Sequence, residues 1–215
     1  AHAARARSLV AIANQYGKAG QLLELHESAI ASARRAIEIA PGLADAYSTL
    51  GFTLFQGKLD ARGARAPFER SRELGAGEAT VLARFAQYSA RVGRQQDASA
   101  AIQRALLLDK LNPLIHRAAG AIEYAARNYR ASIPPTRQAL QMNPRMSRAH
   151  AAIGDALFML GRLDEARNEY LAEPAIDFGM TGLAVVDHRL GNAKSAHDAF
   201  AKIEQEGARL RYQQA

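Results

Sequence analysis

Small and bulky residues recur along this chain with a long, regular period. Three columns keep a spacing of 34 residues: Ala98, Ser132 and Ala166; Ile102, Thr136 and Tyr170; and Ala86, Gly120 and Gly154. Toward the C-terminus the spacing contracts to 30 residues, from Tyr170 to Phe200 and from Gly161 to Gly191. Several columns in one register indicate a chain of repeated structural units.

Each period is predicted to contain two helices. Apolar or small residues follow a three-then-four spacing along two successive stretches of one unit: His150, Ile153, Gly154 and Leu157, then Leu163, Ala166 and Tyr170. This spacing places each set on one helix face, and Gly161 between the two sets favours a turn. Small residues fit where two helices cross closely, and bulky residues fill the core that the pair shares.

The predicted fold is therefore all-α, a right-handed superhelical solenoid of antiparallel helix pairs with no strand. We expect a single domain over residues 1–215, with the column residues Phe68, Ile102, Tyr170 and Phe200 in the core between helices. Six pairs are expected at residues 6–42, 43–76, 77–112, 113–145, 146–176 and 177–206, followed by a truncated helix at 207–215.

Three stretches depart from the regular pattern. The segment QLLELHES, residues 21–28, is expected between the two helices of the first unit. Pro67 and the pair Pro134-Pro135 fall inside predicted second helices, where a proline removes one backbone hydrogen bond and clashes with the preceding turn. We therefore expect these helices to begin late, with the prolines in their first turns.

Composition excludes several kinds of chemical site. The chain has no cysteine, which excludes disulfides, thiolate metal sites and cysteine nucleophiles. The sequence contains no phosphate loop, serine-hydrolase elbow or zinc-protease motif, so we predict no catalytic, cofactor-binding or metal-binding residues and no enzymatic activity. His116 and His150 share a column, but without a third ligand at matching spacing they are interpreted as packed, hydrogen-bonded side chains.

The charge and hydropathy of the chain bear on nucleic-acid binding and on membrane insertion, but they do not decide its cellular compartment. The net charge of +7 is carried largely by arginines dispersed along the chain, which is typical of a solvated surface rather than a nucleic-acid footprint. No apolar run reaches the length of a membrane span, and no targeting pattern occurs. The sequence does not decide between cytoplasm and periplasm, and it is compatible with a monomer or a homo-oligomer.

The repeat resembles that of a known family. Tyr47, Leu50, Gly51 and Leu54, followed after a one-residue slip by Ala64 and Phe68, resemble the tetratricopeptide repeat. A finer resemblance is to the repeat region that follows winged-helix or adenylate cyclase domains in bacterial signalling proteins. It covers residues 33–74, ARRAIEIAPGLADAYSTLGFTLFQGKLDARGARAPFERSREL, and residues 181–215, which begin TGLAVVDHRLGNAKSAHDAF. This second resemblance implies a sensory or docking role, and we expect the chain to be a piece of a longer protein.

A peptide-binding groove is predicted from the geometry of the columns. If Phe85 and Ala86 face their partner helix, neighbouring positions turn toward the concave side of the solenoid. Applied to successive units, this rule selects Phe52, Phe55, Arg84, Gln87, Arg91, Arg117, Tyr124, Asp155, Phe158 and Met159. Arginines beside aromatic rings favour an acidic peptide with a hydrophobic anchor. In the alternative interpretation, these arginines are solvated or pair with acidic residues of adjacent units.

Three functions are compatible with such a fold. A non-enzymatic protein-binding or peptide-binding scaffold is favoured, because stacked helix pairs create extended grooves. A nucleic-acid-binding repeat array would need polar side chains at equivalent slots, whereas these slots hold Phe52, Gln87, Ala121 and Asp155. A chaperone-tail adaptor would need a Lys-Asn clamp for a carboxylate, and only Asn14 and the groove arginines resemble one.

Overall fold

The computed structural model describes residues 1–16 and 19–205, without the side chains of residues 14–16, 19, 20, 176 and 177. These residues form twelve helices and no strand, which confirms the all-α prediction. The predicted terminal helix at 207–215 lies outside the described residues. The chain divides into two units, Ala1–Lys110 and Leu111–Ala215, and the single domain stays a prediction.

Each unit is built of helices that pack mainly against their neighbours in sequence. The first unit contains α1 (His2–Tyr16), α2 (Ala19–Ile39), α3 (Ala44–Phe52), α4 (Ala61–Leu74), α5 (Ala79–Arg91) and α6 (Gln95–Leu108). The second contains α7 (Pro113–Ala125), α8 (Tyr129–Met142), α9 (Ala149–Met159), α10 (Leu163–Ala172), α11 (Ile176–Arg189) and α12 (Ala193–Gln205). Helix α3 continues directly into a π-helical turn, Thr53–Gly57.

Glycines on the first helix of a pair lie directly against bulky residues of the second. A Cβ atom on Gly51 would lie 2.9 Å from the ring of Phe68, and one on Gly154 would lie 2.7 Å from the ring of Tyr170. Both rings are buried. The predicted pairing of small and bulky columns is therefore confirmed at these crossings, where the absent side chain lets the two backbones approach.

A left-handed residue recurs at the turn inside five of the helix pairs. Positive φ angles occur at Leu59 (54°), Gly93 (81°), Arg127 (61°), Gly161 (74°) and Gly191 (79°). These positions keep the period of the repeat. A left-handed residue just after a helix allows the chain to reverse and to satisfy the last carbonyl groups. Leucine and arginine are unusual there because their Cβ atoms clash with the backbone.

The prolines do not shorten their helices, so the expectation of late helix starts is wrong. Helix α4 begins at Ala61, where the Asp60 carboxylate accepts a hydrogen bond of 2.7 Å from the Gly63 N–H, and Pro67 lies in its interior. Pro134 and Pro135 likewise lie inside α8. Burial of neighbours such as Phe68 outweighs the cost of a proline, which is about 3 kcal/mol.

Two expectations for the first and last helix pairs are also wrong. Residues 21–28 extend α2 rather than separating two helices, because their apolar positions continue its helical spacing. Phe200 is 45% exposed, whereas Ala199 and Ile203 are buried on α12. The spacing from Gly191 to Phe200 equals that from Gly161 to Tyr170, so the buried face of α12 is offset by one position although the period within the pair is kept.

The crossing at Gly154 predicts a measurable cost of one methyl group. We expect Gly154→Ala to lower the free energy of unfolding by about 1 to 3 kcal/mol, because the added Cβ overpacks the Tyr170 ring. Urea unfolding followed by circular dichroism measures this change. Gly77→Ala is the control, since a Cβ at that glycine meets nothing within 4 Å; equal effects of the two changes would contradict the assignment.

The left-handed turns predict a stabilising substitution. We expect Arg127→Gly to raise the free energy of unfolding by about 0.5 to 1 kcal/mol, because the left-handed conformation costs arginine more than glycine loses in entropy. The matched control is Arg130→Gly, an exposed arginine in the first turn of α8, which should destabilise the protein. A loss of stability in both variants would argue against strain at this turn.

Candidate functional site

Two arginines of α5 lie over aromatic rings of the preceding helix pair. The guanidinium carbon of Arg84 is 5.4 Å from the ring centre of Phe52, and that of Arg91 is 6.0 Å from the ring centre of Phe55. We call these four residues the arginine–aromatic cluster. Phe55 follows Phe52 by three positions and Arg91 follows Arg84 by seven, so each pair projects from one side of its helix.

The cluster carries an excess of positive charge. The Arg84 guanidinium is 4.0 Å from the Asp45 carboxylate, which is paired more closely, at 3.0 Å, with Arg7. One carboxylate is thus shared between two arginines. Burial lowers the pKa of Arg84, against the attraction of Asp45, and burial also lowers the pKa of Arg91. Both shifts mean that an added anion would stabilise the charged guanidinium groups.

The rings of the cluster are supported from beneath by Tyr88. The ring of Phe55 meets Tyr88 edge-on at 5.2 Å, and Tyr88 stacks on the buried Phe68 at 4.6 Å. The Tyr88 hydroxyl donates a hydrogen bond of 3.0 Å to the carbonyl of Ala61. Phe55 is therefore held in a fixed orientation, as a preorganised binding surface requires.

The second unit contains an open pocket of about 490 Å³. Aromatic, apolar and small residues of four helices form most of its lining, together with one carboxylate: Tyr124, Ala151, Asp155, Phe158, Met159, Tyr170, Phe178, Thr181, Gly182 and Val185. We call it the aromatic pocket. Four of the ten predicted groove residues line it, namely Tyr124, Asp155, Phe158 and Met159.

Asp155 and Tyr170 are joined by a hydrogen bond inside this pocket. The Tyr170 hydroxyl donates to Asp155 Oδ1 at 2.8 Å. Burial raises the pKa of the Asp155 carboxyl, the hydrogen bond from Tyr170 opposes this, and the Glu173 carboxylate raises it further. The carboxyl is accessible to solvent but surrounded by protein atoms on its other sides. Burial, reinforced by Asp155, raises the pKa of Tyr170 strongly.

Glu173 fixes the helices that surround the pocket. Its buried carboxylate accepts hydrogen bonds from the backbone N–H groups of Arg148 (2.8 Å), Ala151 (2.9 Å) and Ala175 (3.0 Å). These donors belong to the starts of α9 and α11, whose free N–H groups need acceptors. One side chain from the end of α10 therefore holds both adjacent helices in place.

The structure brings together most, but not all, of the predicted site residues. Gln87 and Arg117 lie half-buried on α5 and α7, outside the contacts that define the cluster and the pocket. Sequence reasoning missed the pocket residues of α11, Phe178, Gly182 and Val185, because its column rule was not carried past α9. It also assigned Tyr170 to the core alone, although the phenol reaches Asp155. Asn14 lies outside the described side chains.

The histidine column shows no metal-site geometry. His150 Nδ1 lies 2.7 Å from Glu169 Oε2, an ion pair when the imidazole is protonated. Within residues 1–16 and 19–205, no three histidine, aspartate or glutamate side chains are placed to hold a metal ion. Over the same part of the chain, no helix has the length and hydropathy needed to cross a lipid bilayer.

The structure also resembles solved helical-repeat proteins. PilW, a type IV pilus biogenesis factor, superposes with a TM-score of 0.71 at 15% identity, over 98% of this chain and 98% of PilW. A tetratricopeptide repeat protein from Parabacteroides merdae gives a TM-score of 0.71 at 13% identity, over 94% of this chain and 86% of that protein. The chain has the tetratricopeptide repeat fold.

A third similar structure is the human IFIT1 dimer with m7Gppp-AAAA, with a TM-score of 0.73 and 15% identity. The match covers 83% of this chain and 46% of IFIT1, so the tetratricopeptide-like region here spans less than half of that protein's length. The sequence itself matches no family model and no curated protein. At these identities the likeness concerns the fold alone.

Outside the two candidate sites, Asp187 is the centre of a buried polar network that sequence reasoning missed. Its fully buried carboxylate accepts hydrogen bonds from Arg167 Nε at 2.7 Å, Asn192 Nδ2 at 3.1 Å and the Ser195 hydroxyl. Burial raises its pKa, but the three donors outweigh burial and leave the pKa below its usual value. The network ties α10, α11 and α12 together.

This network predicts a pH-dependent difference in stability. Because the pKa of Asp187 is lowered by folding, the carboxylate stabilises the native state above its ordinary pKa, and this stability is lost as the pH falls through the folded value. At pH 7 we expect Asp187→Asn to cost about 1 to 3 kcal/mol of unfolding free energy, a cost that shrinks toward acid pH. Urea unfolding between neutral and acid pH measures the difference. The exposed Asp164→Asn should behave as wild type, and a pH-independent cost at Asp187 would contradict the assignment.

Proposed function

We propose that the chain is a non-enzymatic scaffold that binds a protein or peptide, with the arginine–aromatic cluster taking an acidic segment that carries a hydrophobic anchor. The observation that supports this most is the arrangement of Arg84 and Arg91 over Phe52 and Phe55. Among the described residues, Asp45 is the one carboxylate within ion-pair distance of either arginine. An acidic side chain can accept from the guanidinium groups while an adjacent apolar residue packs on the rings. Tetratricopeptide-like neighbours are consistent with protein partners.

The alternative of self-paired arginines has a partial basis in the structure. Arg84 approaches Asp45, a residue of the preceding helix pair, but at 4.0 Å and in competition with Arg7. Arg91 forms no ion pair within the described residues. Neither arginine is neutralised as completely as Arg94, which contacts both Asp97 (2.8 Å) and Glu69 (3.0 Å). The comparison supports a role for Arg84 and Arg91 in binding.

A role in bacterial signalling is a further part of the proposal. It rests on the resemblance of residues 33–74 and 181–215 to repeats that follow winged-helix or adenylate cyclase domains. In that setting the chain would sense or dock a partner for an effector domain. The reading frame on either side of the chain tests this point, since an effector domain encoded next to it is the expected finding.

Nucleic-acid binding is the second candidate, since human IFIT1 was solved with m7Gppp-AAAA. An excess of arginine would support electrostatic binding, which weakens steeply with salt. A salt-titrated binding assay with single-stranded RNA distinguishes this function from peptide binding. The chaperone-tail adaptor is less well supported, because Asn14 is the only asparagine that suggested a carboxylate clamp.

Substitution of the cluster arginines tests the scaffold proposal. We expect Arg84→Ala with Arg91→Ala to weaken binding of a labelled peptide, two glutamates flanking a phenylalanine, by at least about 2 kcal/mol, because charge-assisted contacts are lost. Fluorescence anisotropy measures the affinity. The same peptide with lysines in place of glutamates should bind more weakly to the wild-type protein.

A charge-matched control is available in the same unit. Arg62 and Arg104 are exposed on α4 and α6, away from the cluster, so Arg62→Ala with Arg104→Ala removes equal charge. If both double variants lose affinity equally, binding reflects net charge alone and the assignment to the cluster fails. Tighter binding of RNA than of the acidic peptide would favour the second candidate.

A further inference from the structure

The aromatic pocket of the second unit contains a carboxylate, Asp155, that has no ion-pair partner within residues 1–16 and 19–205. Asp155 is the one charged residue among the described residues that line the pocket. It forms no ion pair with any residue in the described part of the chain, and its hydrogen bond comes from the neutral Tyr170 hydroxyl. By contrast, the buried carboxylate of Asp187 is paired with Arg167 at 2.7 Å.

The walls around this carboxylate suit a cation that carries an apolar stem. Rings of Tyr124, Phe158 and Phe178 line the pocket, and aromatic faces attract positive charge through their quadrupoles. One ring already shows this behaviour, because the Arg148 guanidinium lies 4.1 Å from the ring centre of Phe178. Arg148 is not among the residues that line the pocket. Met159 and Val185 add apolar surface for the methylene groups of a ligand.

The pocket is large enough to hold one side chain of a peptide together with the adjacent peptide backbone. Its volume of about 490 Å³ falls within the range of about 300 to 1,000 Å³ that is common for small-ligand sites. The carboxylate offers one oxygen that is not engaged by Tyr170. A guanidinium that binds bidentately needs both oxygens, whereas an ammonium group acts as a point charge and needs only one.

We propose that the aromatic pocket binds a lysine side chain of a partner peptide, with the ammonium group at Asp155 and the methylene stem against Phe158 and Met159. This inference rests on the proposed peptide-binding function but assigns a second site with opposite ligand charge. The raised pKa of Asp155, which burial and the Glu173 carboxylate cause, is consistent with a carboxylate that a bound cation would stabilise.

Methyl resonances of the methionines provide a direct test. The chain has four methionines; Met159 lines the pocket, whereas Met146 is buried in a separate core with Ala139 and Ala149. The probes are N-acetyl-lysine methylamide, its norleucine analogue without the charge, and its glutamate analogue. In protein labelled with ¹³C at methionine methyl groups, the lysine probe should shift Met159 with a Kd of about 1 mM and leave Met146 unchanged.

Two substitutions separate charge from shape. Asp155→Asn keeps an acceptor for Tyr170 but removes the charge, and it should weaken binding of the lysine probe roughly tenfold. Phe158→Leu leaves Asp155 untouched and should weaken the lysine and norleucine probes alike, by about two- to fivefold, because the methylene stem that both share packs on this ring. The matched control is Asp164→Asn, an exposed aspartate at the start of α10, which should bind as wild type does. An unchanged Met146 resonance shows that each variant is folded.

Several outcomes would overturn the inference. The norleucine probe binding as tightly as lysine would show a merely apolar pocket, and tighter binding of the glutamate probe would reverse the expected charge. Absence of any Met159 shift at about ten times the expected Kd would also overturn it. Binding of the acidic peptide to the same protein is measured by fluorescence anisotropy. If the acidic peptide binds but the lysine probe does not, the lysine pocket is disproved while the peptide-binding function of the arginine–aromatic cluster is retained.

Discussion

The close contact between a glycine on one helix and a ring on the next determines how two of the helix pairs of this protein, α3 with α4 and α9 with α10, are built. At Gly51 with Phe68 and at Gly154 with Tyr170, no side chain separates the two backbones. Each ring therefore packs on a bare backbone surface, with many dispersion contacts and little lost side-chain entropy. The distance between helices follows from this contact, and so does the direction in which the remaining residues of each helix project.

Tyr170 shows how one such contact also supports a candidate site. A Cβ on Gly182 would clash with the same ring, so the phenol lies between glycines of α9 and α11. The ring is a structural element, while its hydroxyl contacts Asp155 in the lining of the aromatic pocket. Packing and ligand chemistry are coupled here, because the same side chain positions the helices and orients the carboxylate.

Much of the fold could be predicted from the sequence, because a repeated column is a redundant signal. Gly154 and Tyr170 recur as equivalents of Gly120 and Thr136, so an error at one position is corrected by the others. Predictions failed where a single residue was judged by itself, as with the prolines, whose local cost is smaller than the burial of their neighbours. The prediction for Phe200 is wrong because the buried face of α12 is offset by one position, to Ala199 and Ile203, and a count of residues does not reveal such an offset.

The candidate sites were less accessible to sequence reasoning for a physical reason. Column positions are fixed by packing, which repeats, whereas binding positions lie beside the columns and differ in every unit. Gln87, Ala121 and Asp155 occupy equivalent slots with unlike side chains, so the period of the repeat does not reveal which of them lies in a binding site. The partner of Asp155, Tyr170, was recognisable only as a core residue, since its hydroxyl group carries no signal in a hydrophobic pattern.

The π-helical turn at Thr53–Gly57 has a consequence for how such a chain can change over evolutionary time. Seventeen residues separate Gly51 from Phe68, but sixteen separate Gly154 from Tyr170; the turn takes up the extra residue without disturbing the packed pair. Phe55 lies in this widened turn. Insertion of a single amino acid can thus present a new side chain to solvent or to a ligand while the stacking of the array is inherited unchanged.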